Sequence, residues 1–97
     1  MRRLTNEEME SLKICYKQLY TAKYSQCVSL LREEQQIVIV NVYNSLFDDD
    51  RARVGSGCIQ CWARWCGRVA DVYFNQLEED AKQVHQKVGN NRKNGRG

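Results

Sequence analysis

The chain has no proline, six glycines and a single histidine in 97 residues. Without that turn punctuation a many-stranded β fold is disfavoured, so helices are expected. No apolar run is long enough to span a bilayer, and the opening MRR leads into the polar stretch LTNEEMESLK, so neither a membrane segment nor a secretory leader is expected. The length suits one domain around one core. Five cysteines, an odd number with no export signal, point to reduced thiols in a cytoplasm rather than a disulfide framework.

What charge there is lies unevenly. Residues 1–50 carry six Lys/Arg against eight Asp/Glu, and residues 51–97 carry nine against four, giving −2 and +5. The excess gathers at Arg51, Arg53, Arg64 and Arg68, and again at Lys87, Arg92, Lys93 and Arg96. Either group is a candidate phosphate contact.

Three principal helices are expected, near residues 6–20, 30–47 and 57–88. Thr5 and Glu8 are spaced as a capping box and Leu4 and Met9 as a hydrophobic staple, which starts the first helix near Asn6. Met9, Leu12, Cys15, Tyr16, Leu19 and Tyr20 then recur at helical spacing, and TAKYSQCVS reads as a connection with Ser29 as the next cap. IVIVNVY, residues 37–43, favours a strand on propensity. With no convincing second strand to pair its backbone, and with REEQQ leading into it, it is assigned to a buried helix. DDDRARVGSG is a loop. The fold class expected is therefore an all-α bundle with a long C-terminal helix: a single domain over 1–89, followed by a disordered basic tail over 90–97 that has no apolar anchor.

GSGCIQCWARWCGR, residues 55–68, holds most of the chemistry. Cys58, Cys61 and Cys66 are three potential zinc ligands, but tetrahedral zinc wants four, and His85 lies roughly 28 Å along a continuous helix from Cys66. Neither a metal nor a cofactor is expected. A redox role for Cys58 and Cys61 lacks the βαβ setting of a thioredoxin-type pair, although Cys58 near a helix start and close in sequence to Arg51 and Arg53 can have a stabilised thiolate. Trp62 and Trp65 share a helical side with Cys58, Cys61 and Val69 and are assigned to core or interface, whereas Arg64 and Arg68 fall on the opposite, solvated side. The second stripe of this helix, Ile59, Ala63, Cys66, Ala70, Tyr73 and Leu77, has alternating steps of four and three and is the expected self-association surface.

The run VYNSLFDDDRARVGSGCIQCWARW, residues 42–65, has a YN-x-LF helix end, a variable loop and a C-x-x-C that opens a basic helix. In this it resembles segments of small uncharacterised helical proteins of bacteriophages and prophages. The resemblance covers about a quarter of the chain and implies a phage-type accessory protein in a bacterial host cytoplasm. It contributes no catalytic residue.

The acidic clusters and the lone His85 have no partner that would make them acid–base catalysts, so no enzyme and no small-molecule substrate are expected. The function expected is a self-associating protein-interaction module: an adaptor, a virion component or an inhibitor of a host factor. The alternative is a nucleic-acid-binding protein that meets phosphate through Arg51, Arg53, Arg64, Arg68, Arg92, Lys93 and Arg96.

Overall fold

A computed structural model describes residues 2–28, 31–48 and 50–96, with side chains described as far as Lys82. Helix α1 spans Asn6–Leu12 and passes through one 3-10 turn, Lys13–Cys15, into α2, Tyr16–Ser25; α3 is Glu33–Leu46 and α4 is Ile59–Arg96. The described residues contain no strand, and α2 and α3 both pack along α4. Helix α4 continues to Arg96, past the end expected near residue 88 and through residues 90–96 of the expected disordered tail; the side chain of His85 falls outside the described side chains and Ser29 outside the described residues.

The amino-terminal cap is as its spacing predicts. The Glu8 N–H donates to Thr5 Oγ1 at 3.1 Å and the Thr5 N–H donates to Glu8 Oε1 at 2.9 Å, while Leu4 is buried and Met9 packs on the core. The first helical run extends further than expected. Ala22 prolongs the buried stripe Leu12, Cys15, Leu19, so TAKYS is helical, and Gln26, at φ 55°, ends α2 in the left-handed region.

Helix α3 begins three residues later than expected and IVIVNVY lies wholly within it. Ile39, Val42 and Tyr43, at steps of three and one, face the core. Gln35 ties its first turn down. Its Oε1 accepts from the Arg32 N–H at 2.8 Å and its Nε2 donates to the Ile14 carbonyl at 2.8 Å, so α3 is hydrogen-bonded to the 3-10 turn. The core is closed by Trp62, Trp65, Cys66, Val69, Ala70 and Tyr73 from α4.

Two more amide side chains clamp backbone from other segments. Asn44 Oδ1 accepts from the Ala52 N–H at 2.8 Å and its Nδ2 donates to the Ala52 carbonyl at 3.2 Å, holding the 48–58 loop. Gln76, 7% exposed, holds both the N–H and the carbonyl of Leu4, at 2.8 and 2.9 Å. Arg3 adds ion pairs to Glu79 and Asp80, so the first residues lie against α4. Among the described residues no buried side-chain nitrogen or oxygen lacks a partner.

Glu8 accepts two hydrogen bonds from the Arg2 guanidinium, at 2.8 and 2.7 Å, besides those from Thr5 and from the Ser45 hydroxyl at 3.3 Å. The Arg2 contacts, more than the others, lower its pKa from 4.5 to about 2. A carboxyl depressed in the folded state adds stability above its unfolded pKa and loses it as pH falls. Thermal unfolding is therefore expected to show a decline between about pH 4.5 and about pH 2 that is shallower in Glu8→Gln. Equal slopes in the two chains would remove Glu8 as the cause.

Candidate functional site

The stripe expected to mediate association is split by the fold. Cys66, Ala70 and Tyr73 are buried inside the monomer, where α2 covers them, and Ala63 is half-buried; only Ile59 and Leu77, at the two ends, stay exposed. Helical spacing placed these six residues correctly on one face but could not show that α2 would extend far enough to occupy it.

What α2 presents outward is aromatic. Tyr16, Tyr20 and Tyr24 recur every four residues and are 47, 51 and 60% exposed. Their rings form a row, with centroids 6.3 Å apart between Tyr16 and Tyr20 and 4.7 Å between Tyr20 and Tyr24. Phe74 of α4 backs the row, its centroid 5.4, 6.2 and 6.1 Å from the three tyrosines, and meets Tyr73 edge-on at 5.1 Å. Such ring pairs hold side chains that would otherwise rotate freely on the surface. Three tyrosines of about 200 Å² each, near half exposed, offer roughly 300 Å², the size of a functional patch on a small monomer. Lys13 and Lys17 stand on the same side of the helix by their spacing. Helical spacing grouped Tyr16 and Tyr20 with Cys15 and Leu19 without separating their faces; the i, i+4, i+8 repeat of tyrosine alone was the available sign of a separate face.

The four arginines do not form an open clamp. Arg64 is ion-paired with Asp50, which also accepts from the Trp65 indole N–H at 3.2 Å, and the Trp65 bond is the largest of the contacts that lower the Asp50 pKa. Arg68 was expected on a solvated face, but it is half-buried, donates to the Tyr43 hydroxyl at 2.9 Å and lies over the Phe47 ring at 4.0 Å. Arg51 and Arg53 are exposed, and the side chains of Arg92, Lys93 and Arg96 are among those not described.

The cysteines fall into three kinds. Cys58 and Cys61 are joined in a disulfide, with Cα atoms 5.2 Å apart, which corrects the expectation of five reduced thiols: a three-residue step at a helix opening brings two Cα atoms within bonding range. Cys66, about 12 Å further along α4, is buried near Cys15. Burial pushes the Cys66 thiol up to about 12, with Cys15 adding to the effect, and pushes Cys15 up to about 11. Cys27 is free and exposed. The three residues considered as zinc ligands are thus not gathered, and among the described residues no group of three or more His, Cys, Asp or Glu side chains converges.

No helix among the described residues is long and apolar enough to cross a membrane. Comparison with protein-family models, with curated proteins and with solved structures returns no match. A functional reading therefore rests on the chain's own geometry.

Proposed function

We propose that this protein is a small interaction module, without catalytic function at this surface, that self-associates through the tyrosine row of α2. The carrying observation is the exposure of Tyr16, Tyr20 and Tyr24 in one row backed by Phe74. Tyrosine suits interfaces because it buries a large ring at small entropy cost and keeps a polar end for the rim. The occupant is a second copy. Two α2 helices laid antiparallel about a two-fold axis bring Lys13 and Lys17 of one over the tyrosines of the other, a self-complementary cation–π arrangement of the kind an isologous dimer requires.

The patch is well below the roughly 800 Å² per partner of a standard stable interface, so the dimer is weak and concentration-dependent. Sedimentation of the full chain is expected to show mass rising through the micromolar range, and Tyr20→Ser with Tyr24→Ser to weaken association about tenfold or more without loss of helicity. Unchanged association in the double variant would overturn the surface. The phage-type setting and a cytoplasmic location belong to this proposal as its context.

Nucleic acid is the second reading, supported by the exposed Arg51 and Arg53 and weakened by the internal engagement of Arg64 and Arg68. Binding to duplex DNA at physiological salt that falls steeply as salt rises, and that is lost on replacing Arg51 and Arg53, would favour it over self-association.

A further inference from the structure

The Cys58–Cys61 disulfide closes the first turn of α4 and is not part of the tyrosine surface. Cys58 is exposed and Cys61 half-buried. Cys58 stands immediately before the helix: its carbonyl accepts the Trp62 N–H at 3.1 Å, and its Sγ accepts the Cys61 N–H at 3.1 Å. The Ser56 hydroxyl accepts the Cys58 N–H at 3.2 Å, and the Trp62 indole N–H donates to the Ser56 carbonyl at 2.8 Å, which fixes the approach to the helix. The Cys58 sulfur is therefore held against the Cys61 backbone N–H at the positive end of a long helix, the setting that favours a thiolate over a thiol. Sequence alone offered the spacing and the nearby helix start; the exposure of Cys58, the half-burial of Cys61 and the hydrogen bond to Cys58 Sγ come from the fold.

Beside this bond lies a cleft of about 380 Å³ whose walls include Val28, Leu31, Gly57, Ile59 and Trp62. Gly57 and Ile59 are the two chain neighbours of Cys58, and Ile59 is 75% exposed. A Cβ placed on Gly57 would meet nothing within 4 Å, so the cleft wall at Gly57 is open.

We propose that Cys58 and Cys61 form a thiol–disulfide exchange site for cysteinyl peptides, with Cys58 as the attacking sulfur and the cleft receiving an apolar side chain next to the peptide's cysteine. In the reduced chain the Cys58 thiolate attacks one sulfur of a peptide disulfide; the bond from Cys58 to that sulfur forms, the peptide S–S bond breaks, and the departing thiolate takes a proton from solvent. The Cys61 thiolate then attacks Cys58 Sγ, closing the Cys58–Cys61 bond and releasing the second peptide sulfur, which is protonated in turn. The chain loses two electrons and two protons and the peptide disulfide gains them. A peptide dithiol drives the same steps backwards and reopens the bond. Cys15 and Cys66, buried and with raised pKa values, stay out of the exchange.

The test uses the full chain, reduced and then desalted, with Cys27 as the internal reference for an exposed cysteine that does not open a helix. Alkylation followed by peptide mass mapping across pH is expected to give Cys58 a midpoint about one pH unit or more below that of Cys27. In Cys61→Ser, which retains the attacking sulfur, glutathione disulfide is expected to leave one mixed disulfide on Cys58, formed about tenfold faster than on Cys27; in the unaltered chain the same adduct is resolved to the Cys58–Cys61 bond. A disulfide-linked peptide with leucine beside its cysteine is expected to react several-fold faster than glutathione disulfide, and Ile59→Ser to remove that preference. Circular dichroism of each variant confirms that α4 remains formed. Equal reactivity of Cys58 and Cys27, an adduct that persists while Cys61 is present, or no preference for the leucine peptide would overturn the proposal. None of these outcomes depends on the oligomeric state, so self-association and exchange stand or fall separately.

Discussion

Trp65→Ala is expected to lower stability by about 3–5 kcal/mol, measured as a shift in denaturant midpoint at unchanged slope. Trp65 is 3% exposed and touches three parts of the fold at once. Its ring meets Trp62 edge-on at 4.9 Å and Tyr43 of α3 at 6.2 Å, and its indole N–H bonds Asp50 in the loop between α3 and α4. Truncation leaves a cavity among side chains held by other contacts and removes the donor from Asp50. Against the 5–15 kcal/mol that a domain of this kind has in total, that loss is enough to populate the unfolded chain measurably. Trp65→Phe keeps most of the packing and gives up the hydrogen bond, so about 1 kcal/mol is expected. A change of a few tenths in Trp65→Ala would place the ring on the surface and contradict the packing of α3 on α4.

Gln76→Ala is expected to cost about 1–3 kcal/mol, because it leaves the Leu4 N–H and carbonyl without the partner that holds both. Gln76→Glu discriminates further. Its carboxylate can still accept from the Leu4 N–H, but the second oxygen faces the Leu4 carbonyl, so ionisation is disfavoured and the folded pKa rises above the unfolded value of about 4.3. A group raised in this way stabilises the fold when protonated. The deficit of Gln76→Glu relative to the unaltered chain should therefore shrink as pH falls through the raised pKa, and the experiment is a pair of denaturant titrations at neutral and acidic pH. A deficit independent of pH would show that residue 76 does not meet the Leu4 backbone.

How far the sequence disclosed this fold depends on which interactions decide each part. Periodicity and capping are local, so the three principal helices, the Thr5–Glu8 cap and the burial of Trp62, Trp65 and Val69 were legible. The helical state of residues 37–43 required a tertiary argument, that a lone strand leaves its backbone unpaired, which prevailed over β-propensity. What was not legible is whatever depends on which helix covers which face. The stripe from Ile59 to Leu77 looks unoccupied until α2 is seen to continue through Ser25, and the same extension brings Tyr24 into line with the exposed Tyr16 and Tyr20. Arg68 was misplaced for a related reason: the Phe47 ring comes from another helix end, and no helical phase within α4 reveals it. The Cys58–Cys61 spacing was evident, but its bonding and the hydrogen bond to Cys58 Sγ depend on where α4 begins.

The hold that Gln76 has on Leu4 joins groups 72 residues apart. During synthesis Leu4 is made well before its anchor. At about 5–20 residues per second, translation leaves Leu4 waiting several seconds for Gln76 to be made, and longer for it to clear the ribosome. Over that interval the Thr5–Glu8 cap, the Arg2–Glu8 pair and, once residue 45 is made, Ser45 can order this segment, but the Leu4 backbone has no anchor on α4. Docking of Leu4 on α4 therefore waits for residue 76, and a nascent chain halted before it would carry that segment undocked from α4.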